Sequence, residues 1–134
     1  MLMLIDDILE AAINYNGNDV KRINHLIKVF SFAHHIGVME KCDVKTQEIE
    51  GHPVADEILK GFDLDDAIKD RVLFLIGHHY QYNAIDGMDF QILVEADFLV
   101  NIFEDGMDEK SIKSVKEKIF KTKSGTNLLE KLYL

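Results

Sequence analysis

The stretch Ile92-Leu93-Val94-Glu95-Ala96-Asp97-Phe98-Leu99-Val100-Asn101-Ile102-Phe103 is too apolar for a surface helix, yet a carboxylate sits in its middle. At helical spacing Leu93, Ala96, Val100 and Phe103 form one apolar stripe, which Ile92 and Leu99 widen. Asp97 lies on the flank of that stripe, in line with Val94 and Asn101. An ionised carboxylate beside so much hydrocarbon needs a base, hydrogen-bond donors or a metal ion. Any fold this chain adopts must therefore bring a partner to Asp97. The candidates are its six histidines, with Arg22 or Arg71 as the alternative in a structural ion pair.

The remaining pattern is helical. Leu2, Ile5, Ile8, Leu9 and Ile13 fall at amphipathic spacing over residues 2 to 13, and Asn14 to Asn18, with Gly17, end that helix. Asp19 is a good N-cap for a second helix running to about Gly37. Val20, Ile23, Ile27, Phe30 and His34 make one of its apolar stripes; His25, Val29, Phe32 and Ile36 make another. Two stripes predict a helix covered on two sides, with His25 buried or facing a cleft, His34 in the core and His35 in solvent. Residues 38 to 51 read as a short helix and a loop, and Gly51-His52-Pro53 opens the next helix, with Gly61 as its stop.

Asp63 or Asp65 caps a further helix whose Ile68, Val72, Leu75 and His79 share a face, and which ends at Gly77-His78-His79-Tyr80. A loop containing Gly87 leads into the Asp97 helix, and Gly106 ends it. Asp108 caps the next helix, with core face Ile112, Val115 and Ile119. Ser124-Gly125 breaks the pattern before a short final helix carrying Leu128, Leu129 and Leu132. The sum is all-α: a compact single-domain helical bundle of about seven helices.

Composition narrows the function. At 134 residues and 47% hydrophobic content, residues 1–134 can bury one sizeable core. A formal charge of −9 argues against binding the phosphate backbone of nucleic acid, though a bound metal can still reverse the field locally for a small anion. The single cysteine, Cys42, permits no intrachain disulfide and fits a reducing, cytoplasmic setting. Asp6 and Asp7 interrupt the apolar start Met1-Leu2-Met3-Leu4-Ile5, so it reads as neither a signal peptide nor a membrane span. Lys110, Lys113, Lys116, Lys118, Lys121 and Lys123 read as a solvated helix face, with docking of an anionic partner as the minority reading.

His25, His52, His78, His79 and Asp97 lie on or at the ends of four different predicted helices. Imidazole nitrogen with carboxylate oxygen suits a borderline divalent metal, and helical bundles build such sites from facing side chains. The bland reading of each residue is a hydrogen-bonded core histidine, a helix end or a loop residue. In order and helical context, Arg22-Ile23-Asn24-His25, Gly51-His52-Pro53, Ile76-Gly77-His78-His79 and Glu95-Ala96-Asp97-Phe98-Leu99 resemble the HD-domain superfamily of metal-dependent phosphohydrolases, over roughly residues 19–105. The resemblance implies an HD-like fold and a divalent ion (Mn, Mg, Fe, Co or Ni) held by His25 and Asp97. It also implies that His52, His78 and His79 bind phosphoryl oxygens or a second metal, and that the substrate is a small phosphorylated molecule, a phosphomonoester or a nucleotide.

One departure is plain. The superfamily's adjacent His-Asp pair has no counterpart between Val38 and Gly51, and the helix that should carry it is missing. His34-His35-Ile36-Gly37 is not a substitute, because at about 100° per residue His34 points to the side of the helix opposite His25. Neighbouring elements or a second chain in a homodimer would fill the gap, or the sequence is a shortened form of a longer parent. The alternative function is a non-catalytic HD-like module for ligand binding or dimerisation.

Overall fold

A computed structural model describes residues 2–40, 60–61 and 65–134 of the chain. These residues form six α-helices and one 3-10 turn, with no strand. The helices are α1 (Leu2–Asn16), α2 (Val20–Met39), α3 (Asp66–His78), α4 (Met88–Glu104), α5 (Glu109–Lys118) and α6 (Lys123–Tyr133), and the turn spans Tyr82–Ala84. His52 and the helix expected to open at Pro53 lie outside the described residues. No helix among the described residues is long and apolar enough to cross a membrane.

Local chemistry sets the boundaries. Asp19, Asp65 and Asp108 each turn a side-chain oxygen onto a backbone N–H of the following helix: Arg22 at 3.1 Å, Ala67 at 2.9 Å and Ser111 at 2.7 Å. Each bond satisfies a donor that the first helical turn leaves without a partner. At the far end of α4, Gly106 takes φ +60°, a left-handed value that favours glycine, and the Met107 N–H returns to the Ile102 carbonyl.

Helix α4 is the axis of the fold. Every residue from Phe90 to Asp97 is buried, as are Leu99, Val100 and Ile102, so the helix is enclosed on nearly all sides. Against it α2 lays Val29, Ala33 and Ile36, α3 adds Leu75, and Ile112, Phe120 and Leu129 close the other end. The most extensive helix–helix packing in the described chain is that between α2 and α4.

The stripes are less complete than their spacing predicts. Phe103, assigned to the apolar stripe, is 72% exposed, because α4 runs one turn past the core; the Lys28 ammonium lies 5.6 Å from its ring centroid. On α2 only the line through Val29 and Ile36 meets α4. Val20 and Ile27 are exposed, and so is His34, whose predicted core position is corrected here: it stacks on Phe30 at the surface. Leu132 of α6 is also 48% exposed. Gly125 does not break the final helix but lies inside its first turn, for a reason given below.

Candidate functional site

Three helices converge on Asp97. Helix α2 presents His25, the C-cap of α3 presents His79, and α4 supplies Asp97 itself with Asn101 and Glu104 along the same face. His25 Nε2 lies 3.3 Å from Asp97 Oδ1, and His79 Nε2 lies 4.0 Å from Asp97 Oδ2. Asn101 Nδ2 donates to Oδ2 at 3.0 Å and fixes the plane of the carboxylate. The alternative pairing with arginine is not what forms. Arg22 faces Asp19, and Arg71 binds Asp89 and Asp86.

The other ring nitrogens define the chemistry. His25 Nδ1 is 3.0 Å from Glu104 Oε1 and 3.3 Å from Oε2, and a carboxylate only accepts, so Nδ1 carries the hydrogen. His79 Nδ1 faces the Ile76 carbonyl at 2.8 Å and is fixed as a donor by the same logic. In the neutral rings both Nε2 lone pairs then face the two oxygens of one acid. Lone pair against lone pair is repulsive, and it is relieved by a proton on Nε2 or by a cation between the groups.

Chemistry and orientation both suit a divalent cation. Asp97 Oδ1 is buried and accepts no hydrogen bond among the described residues. A carboxylate or backbone carbonyl on the far nitrogen is the usual support of a metal-ligating histidine. The donor count is what falls short. Among the described residues no group of three or more His, Cys, Asp or Glu side chains is gathered closely enough to hold an ion, which leaves the His25–Asp97 pair with His79 somewhat farther off.

The other expected residues divide. His78 is engaged on its own helix, with Nδ1 2.7 Å from the Phe74 carbonyl and its ring stacked on Phe74 at 4.1 Å. Its neighbour His79 has the opposite fate, because one residue of helix turns the side chain by about 100°. Sequence reasoning missed Glu104, although its signal was present: Asp97, Asn101 and Glu104 follow one another at the i, i+4, i+7 spacing of a single helix face. It also missed Tyr82, whose ring packs on Phe98 with centroids 5.0 Å apart. Burial raises the Tyr82 phenol above its ordinary pKa, and the charge of Asp97 adds to the rise.

A second buried acid has a different role. Glu95 accepts from Gln91 Nε2 at 2.6 Å, from Thr122 Oγ1 at 2.6 Å, and from the backbone N–H groups of Lys121 and Thr122 at 3.1 Å each. Its charge thus lies at the N-terminus of α6, where the helix dipole favours an anion. A Cβ at position 125 would collide with Glu95 Oε1, so glycine is required by close approach. This carboxylate is fully satisfied and joins α4 to α6; it is not available for a ligand.

Compared with protein-family models, with curated proteins and with solved structures, the chain finds no match in any of the three.

Proposed function

We propose that the chain is an HD-type, metal-dependent phosphohydrolase module acting on a phosphomonoester or nucleotide, with His25 and Asp97 as ligands of a divalent ion. The observation that carries this reading is the 3.3 Å approach of His25 Nε2 to Asp97 Oδ1, with each partner oriented from behind by Glu104 or Asn101. When bound, such an ion supplies positive charge to phosphoryl oxygens and lowers the pKa of a water nucleophile. Glu104 holds the His25 ring in the tautomer that turns Nε2 to the ion. His79 adds a second imidazole beside the acid, and His52 and His78 keep the phosphoryl or second-metal roles that the resemblance implies. In this reading residues 1–134 are one compact HD-like domain, cytoplasmic, with a second copy of the chain covering the face of α2 that bears Val20 and Ile27.

The protein, purified without a histidine tag, is expected to bind one of Mn, Mg, Fe, Co or Ni and to release phosphate from a phosphomonoester with that ion. Asp97→Asn, nearly isosteric, should keep the fold and lower metal affinity about a hundredfold, and Glu104→Gln about tenfold. No thermal stabilisation by any of the five ions, together with no turnover that His25→Ala abolishes, overturns the reading.

One observation favours the second reading, a non-catalytic HD-like module for ligand binding or dimerisation: the described residues do not gather three metal-holding side chains. Three or more protein ligands usually fix a catalytic ion. Metal binding without hydrolysis of any phosphomonoester or nucleotide is the result that selects it.

A further inference from the structure

Helix α1 carries Asp6, Asp7 and Glu10 and no lysine or arginine, whereas α2 carries Lys21, Arg22 and Lys28 and no acid. The two helices pack on one another, yet their opposite charges do not pair within the chain. Asp7, Glu10, Lys21 and Lys28 are all exposed, and no ion pair joins any of them to another described residue. Arg22 is taken up by the Asp19 cap.

Exposed apolar side chains gather on the same two helices. Tyr15 of α1 and Val20, Val38 and Met39 of α2 are each more than half exposed. On α2 the exposed line Val20, Asn24, Ile27, Ser31, His34 and Val38 repeats at alternating intervals of four and three, the spacing of a seam that meets a second helix. Ser31 turns its hydroxyl back to the Ile27 carbonyl at 2.8 Å, so it presents little bulk on that line. Lys21 and Lys28 run along one flank of the seam. On α1 the exposed line is acidic: Asp7, Glu10 and Asn14, at the i, i+3, i+7 spacing of one face.

A helix that covers this seam must bring acids to its basic flank, and α1 of a second copy does so. We infer that two copies of the chain pair through the α1–α2 hairpin, with α1 of each lying on the exposed seam of α2 of the other. The pairing rests on the second copy placed on α2 in the reading above and adds which of its helices makes the contact. A two-fold axis makes the contact twice, and both halves set Asp7 and Glu10 against Lys21 and Lys28. The 15 residues of α1 span about 22 Å, so each contact is short. Charges at such a rim fix partner and register more than strength, and a dissociation constant in the micromolar range is expected.

The test is sedimentation equilibrium of the wild type and of two charge-reversed variants, Lys21→Glu with Lys28→Glu and Asp7→Lys with Glu10→Lys. All four positions are exposed, and circular dichroism checks that the helices are kept. Each variant alone is expected to dimerise about tenfold more weakly than the wild type, and an equimolar mixture of the two to recover wild-type affinity. Net charge alone predicts the reverse for the second variant, which is less negative than the wild type and repels itself less. Dimerisation that neither variant weakens puts the second copy elsewhere and overturns the inference. Weakening by the α2 reversal but not by the α1 reversal overturns α1 as the occupant. A monomeric wild type removes both the inference and the second copy, and leaves metal binding at His25 and Asp97 to be decided by its own titration.

Discussion

Glu95 and Asp97 stand two residues apart on one helix, and both are buried, yet they meet opposite conditions. Glu95 is surrounded by donors from Gln91, Lys121 and Thr122, whereas Asp97 faces two imidazoles and a single amide. Thr122 is the pivot of the first arrangement, because its hydroxyl donates to Glu95 and accepts from the Gly125 N–H at 2.9 Å. Thr122→Ala therefore removes a helix cap and leaves a buried acid short of a donor, and we expect it to destabilise the protein by about 2–3 kcal/mol in urea unfolding. Gly125→Ala should cost at least as much, since Glu95 must move; a variant as stable as the wild type would show that the close approach is not needed. Legibility divides the same way. Asp97 could be singled out, and so could two of the side chains it meets, because a charge inside an apolar helix demands an explanation. Apart from Gln91, one turn back on the same helix, the Glu95 partners could not, because they come from a turn far along the chain and two of them are backbone groups that leave no mark on a sequence.

The helices were readable wherever one side chain meets one nearby backbone group, as at Asp19, Asp65 and Asp108. At Asp108 the bonds from Ser111 hold the carboxyl below its ordinary pKa. A depressed folded pKa gives stability that is fully present above the unfolded value of about 4 and is lost as pH falls through the folded one. Asp108→Asn, which still caps but does not titrate, should lose less of its α5 helicity than the wild type between pH 5 and pH 2, about, as followed by circular dichroism. What joins one helix to the next was harder to read. Arg71 of α3 binds Asp89 at 2.7 Å and Asp86 at 2.9 Å while its guanidinium lies over Phe74, which fastens α3 to the start of α4. These side chains are partly exposed, so Arg71→Met should cost only about 1–2 kcal/mol, and less at high salt. The same limit explains His34 and Phe103. Spacing shows that a stripe is apolar, but only a neighbouring helix determines whether it is covered.

Across the whole molecule the charge is unevenly placed. The residues after Gly106 hold seven lysines against four acids, although the chain carries −9 in total. The acidic remainder repels itself, so raising NaCl from about 0.01 to 0.15 M should raise Tm by a few degrees. A Tm that falls would show that pairs such as Lys116–Glu130, at 2.7 Å between α5 and α6, outweigh the repulsion. The placement of Glu95 has a further consequence for how the protein is made. The central helix leaves the ribosome well before the turn at Thr122, and until that turn arrives Glu95 has only Gln91 beside it. An interior closed early would trap an acid short of donors, so the first four helices reach their final packing only once the turn at Thr122 is in place.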